Sequence, residues 1–335
     1  MKRQHSSHGS AHGNAESCIA LIDARFLAWL QGQTEAAQDK TRQHLHNLLT
    51  RWGTGPFALL VLATVVAVAI WYLQSVWALS AKGRTWSRTR TTAFLTGLVL
   101  IDVALQSPVA SFTMSYFEAH MIQHLLLMVT APPLLAMGAP MTLALQTCGR
   151  RTKVRLLRVL NSRPFKWWSH PIPTAGIYYF AMFAFFLTSA VEVAMSHMWL
   201  MDVVNIAFLI ASMHFWWPIV GVDLIPHWPM THGMKMISLL IGVPIESFLA
   251  LALLSTTRSV ASMYSVSGTH AGAGILWVGA EMFTFLALIP VFIQWIRFEG
   301  RKTARIDAEL DASYEAAGSA LTPIRTDERC AGIDT

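Results

Sequence analysis

Residues 56–90 read PFALLVLATVVAVAIWYLQSVWALSAKGRTWSRTR, and this stretch decides the fold. From Pro56 to Leu79 no side chain is charged; then Lys82, Arg84, Arg88 and Arg90 follow with no acid among them. Such a run meets the roughly 20 residues that an α-helix needs to cross a hydrocarbon core of about 30 Å. Barrel strands would alternate in polarity, and this run does not. Basic residues directly behind an apolar span mark a loop held on the cytoplasmic side.

The pattern recurs along the chain. Between Thr91 and Thr113 the one charge is Asp102, and between Met121 and Gly149 there is none. Seven positives follow, from Arg150 and Arg151 through Lys153, Arg155, Arg158 and Arg163 to Lys166, again without an acid. Pro171–Val191 is uncharged, and further apolar runs follow it. The expectation is an all-α polytopic membrane protein: a bundle of seven transmembrane helices at about 56–80, 91–113, 119–145, 171–191, 200–222, 235–256 and 272–297.

Composition agrees. Of 335 residues, 54% are hydrophobic and 13% charged, about half the charge of an ordinary soluble domain. That argues against a soluble enzyme and excludes a disordered chain. The net charge of +6 is concentrated in the two acid-free loops. The basic blocks lack the aromatic interleaving of a nucleic-acid surface, so membrane topology accounts for them. The loops after the second and fourth helices carry no positive charge, and Arg297, Arg301, Lys302 and Arg305 follow the seventh. This bias places the N-terminus outside and the C-terminus in the cytoplasm.

Three segments result: an extracytoplasmic N-terminal segment at 1–55, a membrane domain at 56–297 and a cytoplasmic polar tail at 298–335. Ile19, Ile22, Phe26 and Leu30 give residues 19–50 the pattern of a surface amphipathic helix. The first apolar span begins too late for a cleavable signal. Cys18, Cys148 and Cys330 are far apart and form no metal or disulfide motif. No internal repeat, phosphate-binding glycine loop or Ser/His/Asp triad is visible.

Ionisable groups inside a membrane are expensive and point to function. Here they are Asp102, Glu118, His120, His124, His214, Glu246 and Glu281, with His197 and His270 at the outer ends of helices. His120 and His124, spaced i and i+4, lie on one helical face, as two ligands of one metal do. Met114, Met121 and Met128 recur every seven residues, and Met195 and Met198 flank His197. Thioether and imidazole together suit copper(I) better than hard cations. The topology places His120, His124, His197 and His270 on the outer side and His214 nearer the cytoplasm. His5, His8 and His12 form a short tract that can bind metal weakly. Pro132 and Pro133 fall inside the third helix, which must then be central, because neighbours have to satisfy the carbonyls that proline frees. Trp216-Trp217-Pro218 reads as an interfacial aromatic belt.

The stretch His120-Met-Ile-Gln123-His124-Leu-Leu-Leu, followed by Ala131-Pro-Pro-Leu-Leu-Ala-Met-Gly138-Ala-Pro140, resembles the signature of the seven-helix CtaG-like cytochrome c oxidase assembly family. Phe215-Trp216-Trp217-Pro218 and Gly274-Ile-Leu-Trp277-Val resemble two further blocks, and the likeness covers about residues 56–297. The resemblance implies a non-enzymatic accessory factor in a bacterial plasma membrane that helps copper reach a haem–copper oxidase. Its partners would be oxidase subunits or other copper chaperones. It carries over to His120 and His124. The chain departs from the family pattern at Asn205, where a histidine is expected, and at Ser267-Gly-Thr-His270, where an acid is common.

The reading is therefore transient copper binding at the outer face by His120 and His124, with His270, His197 or Met121, and with Glu118 orienting an imidazole. The alternatives are a metal-ion or proton transporter using Asp102, His214, Glu246 and Glu281, a membrane b-type haem protein, and an oxidase-binding scaffold.

Overall fold

The computed structural model describes residues 52, 53, 55–223 and 230–320. The expected surface helix at 19–50, the His5/His8/His12 tract and His227 lie outside the described residues. Every element among those described is helical.

The first helix, α1 (Pro56–Ala81), starts on a proline at its first turn and ends at Gly83, whose φ of +72° suits glycine. Only 11% of its most apolar window is buried, so the helix faces lipid. The next span, α2 (Arg88–Gln106), breaks at Ser107-Pro108 and continues as the short α3 (Pro108–Phe112). Pro108 lacks the N–H that would bond the Ala104 carbonyl. Gln123 supplies the missing donor, its Nε2 lying 2.8 Å from that oxygen.

The third span runs from Phe117 to Thr147, and 56% of its most apolar window is buried. It is built from α4 (Phe117–His124), a π-helical segment at Leu125–Thr130, α5 (Ala131–Met137) and α6 (Pro140–Thr147). The expected proline kink is thus realised as a π turn. Pro132 frees the Met128 carbonyl, and the Trp216 indole N–H donates to it at 2.8 Å. Trp216 is only 3% exposed. It belongs to the bundle interior and corrects the reading of this residue as part of an interfacial belt. Between α5 and α6 the chain turns through Ala139, a non-glycine residue with φ +47°. Asp223 caps α6 from 81 and 82 residues away, accepting from the Met141 and Thr142 amides at 2.8 and 2.6 Å. A carboxylate there also meets the positive end of the helix dipole.

Two short helices, α7 (Arg150–Leu160) and α8 (Arg163–Trp168), carry the basic block. The fourth expected span is a bent pair, α9 (Pro171–Phe186) and α10 (Ala190–Ser196), which turn by 74°. The chain continues as α11 (Met198–Val220), α12 (His232–Leu254) and α13 (Val266–Ala320). Among the described residues six helices are long and apolar enough to cross a membrane, or seven if the bent pair counts as one span. The last helix runs unbroken past 297, so the expected border of the polar tail is not a break in structure.

The connections sort into two ends. Ser262 bonds Glu192, Tyr264 bonds Thr113, and Gly53 bonds Gln106 at one end. At the other, Trp86 bonds Tyr72, Tyr72 bonds Gly138, and Trp168 packs on His214. The second end carries both acid-free basic loops; His120 and His124 lie toward the first.

Candidate functional site

His120 and His124 are each 1% exposed and sit on the buried face of α4. Their rings stack with centroids 4.8 Å apart and planes 22° apart. The two Nε2 atoms face each other at 2.9 Å. Phe117, Phe185, Phe186 and Phe208 surround the pair. The α9–α10 bend supports this cage: α9 ends at Phe186, so Phe185 and Phe186 close over the imidazoles from its last turn.

One partner fixes the protonation pattern. Tyr264, in the loop between α12 and α13, donates its O–H to the Thr113 carbonyl at 2.5 Å. Its oxygen lies 2.8 Å from His120 Nδ1. A phenol has one proton, so the Tyr264 oxygen must accept from the Nδ1–H. That leaves a lone pair on His120 Nε2, directed at His124. Burial raises the Tyr264 pKa above its ordinary value, which keeps the phenol a donor. With the other ring nitrogen anchored, His120 is oriented as metal-binding histidines are. Tyr264 thus takes the place expected of Glu118. Glu118 lies two residues before His120 on α4, and its carboxylate points toward Gly268, where a Cβ would sit 3.5 Å from its oxygens.

His124 Nδ1 is buried and meets no partner among the described residues. When the Nε2–H of His124 donates to His120, this Nδ1 is a bare acceptor in an aromatic cage. The two nitrogens that converge therefore share one proton, and a soft cation could enter between them if that proton moved to His124 Nδ1. The donor set fits a loosely held metal: two neutral imidazoles, one of them anchored, in surroundings from which Phe side chains exclude water.

The other expected ligands are not gathered here. His270 Nε2 lies 2.9 Å from the Thr256 carbonyl, at the start of α13. His197 is exposed, with Nδ1 2.8 Å from Ser196 Oγ. Met121 is fully buried beside the imidazoles in sequence, and its Cγ lies where a side chain on Gly272 would reach. Among the described residues no group of three or more His, Cys, Asp and Glu side chains converges as a metal site. Asn205, standing where the resemblance expects histidine, is buried on α11 with Oδ1 unpartnered among the described residues.

The remaining intramembrane polar residues fall in three separate places. Asp102 bonds Gln106 along α2. Glu281 of α13 accepts from Ser247 Oγ at 2.6 Å and from the Trp277 indole at 2.5 Å, and Glu246 lies buried beside Ser247 on α12. His214 lies at the other end, edge-on to Trp168.

The family model described as cytochrome c oxidase caa3 assembly factor (Caa3_CtaG) matches residues 70–298, more than half of the chain. The chain belongs to this family. The matched region holds the histidine pair, the π turn and the Trp216 and Trp277 contacts, while Tyr264 supplies the orienting hydrogen bond from within the same region. Relatives include uncharacterized proteins of Mycobacterium bovis and Mycobacterium tuberculosis, each 28% identical over 286 residues, covering 80% of this chain and 42% of theirs. An uncharacterized protein of Mycobacterium leprae is 26% identical over 277 residues, covering 77% of this chain and 42% of its own length. The chain thus spans less than half the length of these curated relatives. No solved structure matches it.

Proposed function

We propose that this caa3 assembly-factor family member is a non-catalytic membrane protein that holds copper(I) transiently on His120 and His124 and passes it to a caa3-type cytochrome c oxidase. The observation that carries the reading is the convergence of two buried Nε2 atoms at 2.9 Å, one of them anchored through Nδ1 by Tyr264. Copper is the cargo. Its arrival requires the proton between the rings to move to His124 Nδ1, which keeps both imidazoles neutral, and a site with so few nitrogen ligands releases the ion more readily than a closed thiolate cage.

The topology supports the side of delivery. The basic loops at 82–90 and 150–166 lie at the end opposite the imidazoles, and such loops stay in the cytoplasm. The histidine pair then faces the outer side of a bacterial plasma membrane, with the N-terminus outside and the C-terminus inside. Oxidase subunits or other copper chaperones on that side are the expected partners. A haem on either imidazole would have to displace the stacked ring, and no second reading is favoured.

The test is copper(I) loading of the purified full chain under reducing conditions, comparing wild type with His120→Ala/His124→Ala. Stoichiometric copper in the wild type and its loss in the double variant support the proposal. Equal copper in both sinks it.

A further inference from the structure

The histidine pair leaves the methionines at its end of the bundle unused. A cavity of about 240 Å³ lies at that end, between α11 and the chain around α3. Met198, Met201, Asp202 and Asn205 line it from α11. Their spacing of i, i+3, i+4 and i+7 turns one helical face toward the cavity. Met114, in the turn between α3 and α4, lines it from the other side. The thioethers are graded in depth: Met198 is 78% exposed, Met114 is partly buried and Met201 is 8% exposed.

The lining selects for one kind of ligand. Thioethers are soft and neutral, and they favour copper(I) over hard cations. Among the described residues on the lining Asp202 is the one acid, and there is no Lys, Arg or His. A single positive charge is thereby balanced, which matters where water is scarce. Asn205 is 4% exposed, and its Oδ1 meets no partner among the described residues. A buried acceptor left open in this way calls for a donor or a cation. The cavity also abuts the histidine cage. Gln123, the neighbour of His124 in sequence, lines it. Phe208, one turn on from Asn205, packs edge-on against His124 with ring centroids 4.9 Å apart.

We propose that this cavity is a second copper(I) site, at which Met114, Met198 and Met201 take up the ion at the outer surface and pass it inward to His120 and His124. This rests on copper being the cargo of the histidine pair. Thioethers carry no proton, so the ion enters the cavity without proton release. The proton shift to His124 Nδ1 belongs to the second step, in which the imidazoles take the ion from the thioethers. Neutral thioethers hold the ion loosely and lose it once free metal is removed. Copper retained after desalting therefore reports the histidine pair alone.

Equilibrium titration with silver(I), a soft monocation that is not oxidised in air, tests the site in chloride-free buffer. The full chain carries Cys18→Ser/Cys148→Ser/Cys330→Ser, because thiolates would capture silver. It also carries His120→Ala/His124→Ala, and the titration is run at about pH 5, where exposed imidazoles are protonated. One silver ion per chain is expected. Met114→Leu/Met201→Leu should weaken its binding about tenfold or more. If that variant does not fold, Met198→Leu, at a largely exposed position, and Asp202→Asn decide the point, each with a smaller loss of affinity. Absence of bound silver, or equal affinity in the folded variants, overturns the proposal. In the chain that keeps its histidines, Met114→Leu/Met201→Leu should slow copper(I) loading and leave the copper retained after desalting unchanged. An unchanged loading rate overturns the intake role. Methionine-dependent silver binding, together with equal retained copper in wild type and His120→Ala/His124→Ala, would overturn the histidine reading and leave the methionine site standing.

Discussion

The first span, α1, and the span from Phe117 to Thr147 are both apolar enough to cross a membrane, yet 11% of one and 56% of the other is buried. The first is a single regular helix whose backbone satisfies itself, and it can be surrounded by lipid. The other contains a π turn, two adjacent prolines and a left-handed alanine, and each irregularity meets a donor or a cap from elsewhere in the bundle. Trp216 reaches Met128, Tyr72 reaches the Gly138 carbonyl at 2.8 Å, and Asp223 caps α6. Irregular backbone survives at membrane depth where protein, not lipid, surrounds it. The same enclosure keeps two imidazoles away from water, so the site and the breaks share one cause.

The comparison is broken most severely by adding bulk on α13 where it packs against the central span. A Cβ on Gly272 would run into Phe117 and lie 3.1 Å from Met121 Cγ. Gly272→Leu should therefore cost about 3 kcal/mol or more through overpacking, seen as loss of the monodisperse protein in detergent. Next is Trp216→Phe, which leaves the Met128 carbonyl without its donor. A penalty of about 1–3 kcal/mol is expected and is read as a lower thermal midpoint. An unchanged midpoint would mean that the π turn does not need Trp216. Tyr264→Phe should lower stability by about 1 kcal/mol but weaken copper(I) binding about 10–100-fold, as measured by competition with a chelator of known affinity. The smallest effect belongs to the lipid-facing helix. Leu60, 63% exposed on α1, should tolerate Leu60→Ala within about 0.5 kcal/mol. A large loss there would erase the distinction between the two spans.

The spans and their polarity were legible because long uncharged runs and acid-free basic loops are properties of the chain itself. The centrality of the third span followed from Pro132 and Pro133 for the same reason. Other features depend on partners distant in sequence. Tyr264 lies 144 residues from His120, in a loop without periodicity, and nothing local marks it as the group that orients the imidazole. Gln123 was visible in the motif, but its task of satisfying the carbonyl freed by Pro108 emerges only once α2 and α4 pack. Trp216 was read from its place near a helix end, whereas its indole is drawn inward by the carbonyl that Pro132 frees. The bend between Phe186 and Ala190 was hidden because Leu187, Thr188 and Ser189 are compatible with an apolar span. Of the proposed ligands, the i, i+4 histidine pair was legible from spacing, while the positions of His197 and His270 required the loops that carry them.

The most direct measurement is the copper content of the caa3-type oxidase purified from cells that carry His120→Ala/His124→Ala, with the variant present in the membrane at wild-type level. Oxidase lacking copper while the variant remains folded is the predicted result. Fully metallated oxidase would contradict a role for this histidine pair in copper delivery.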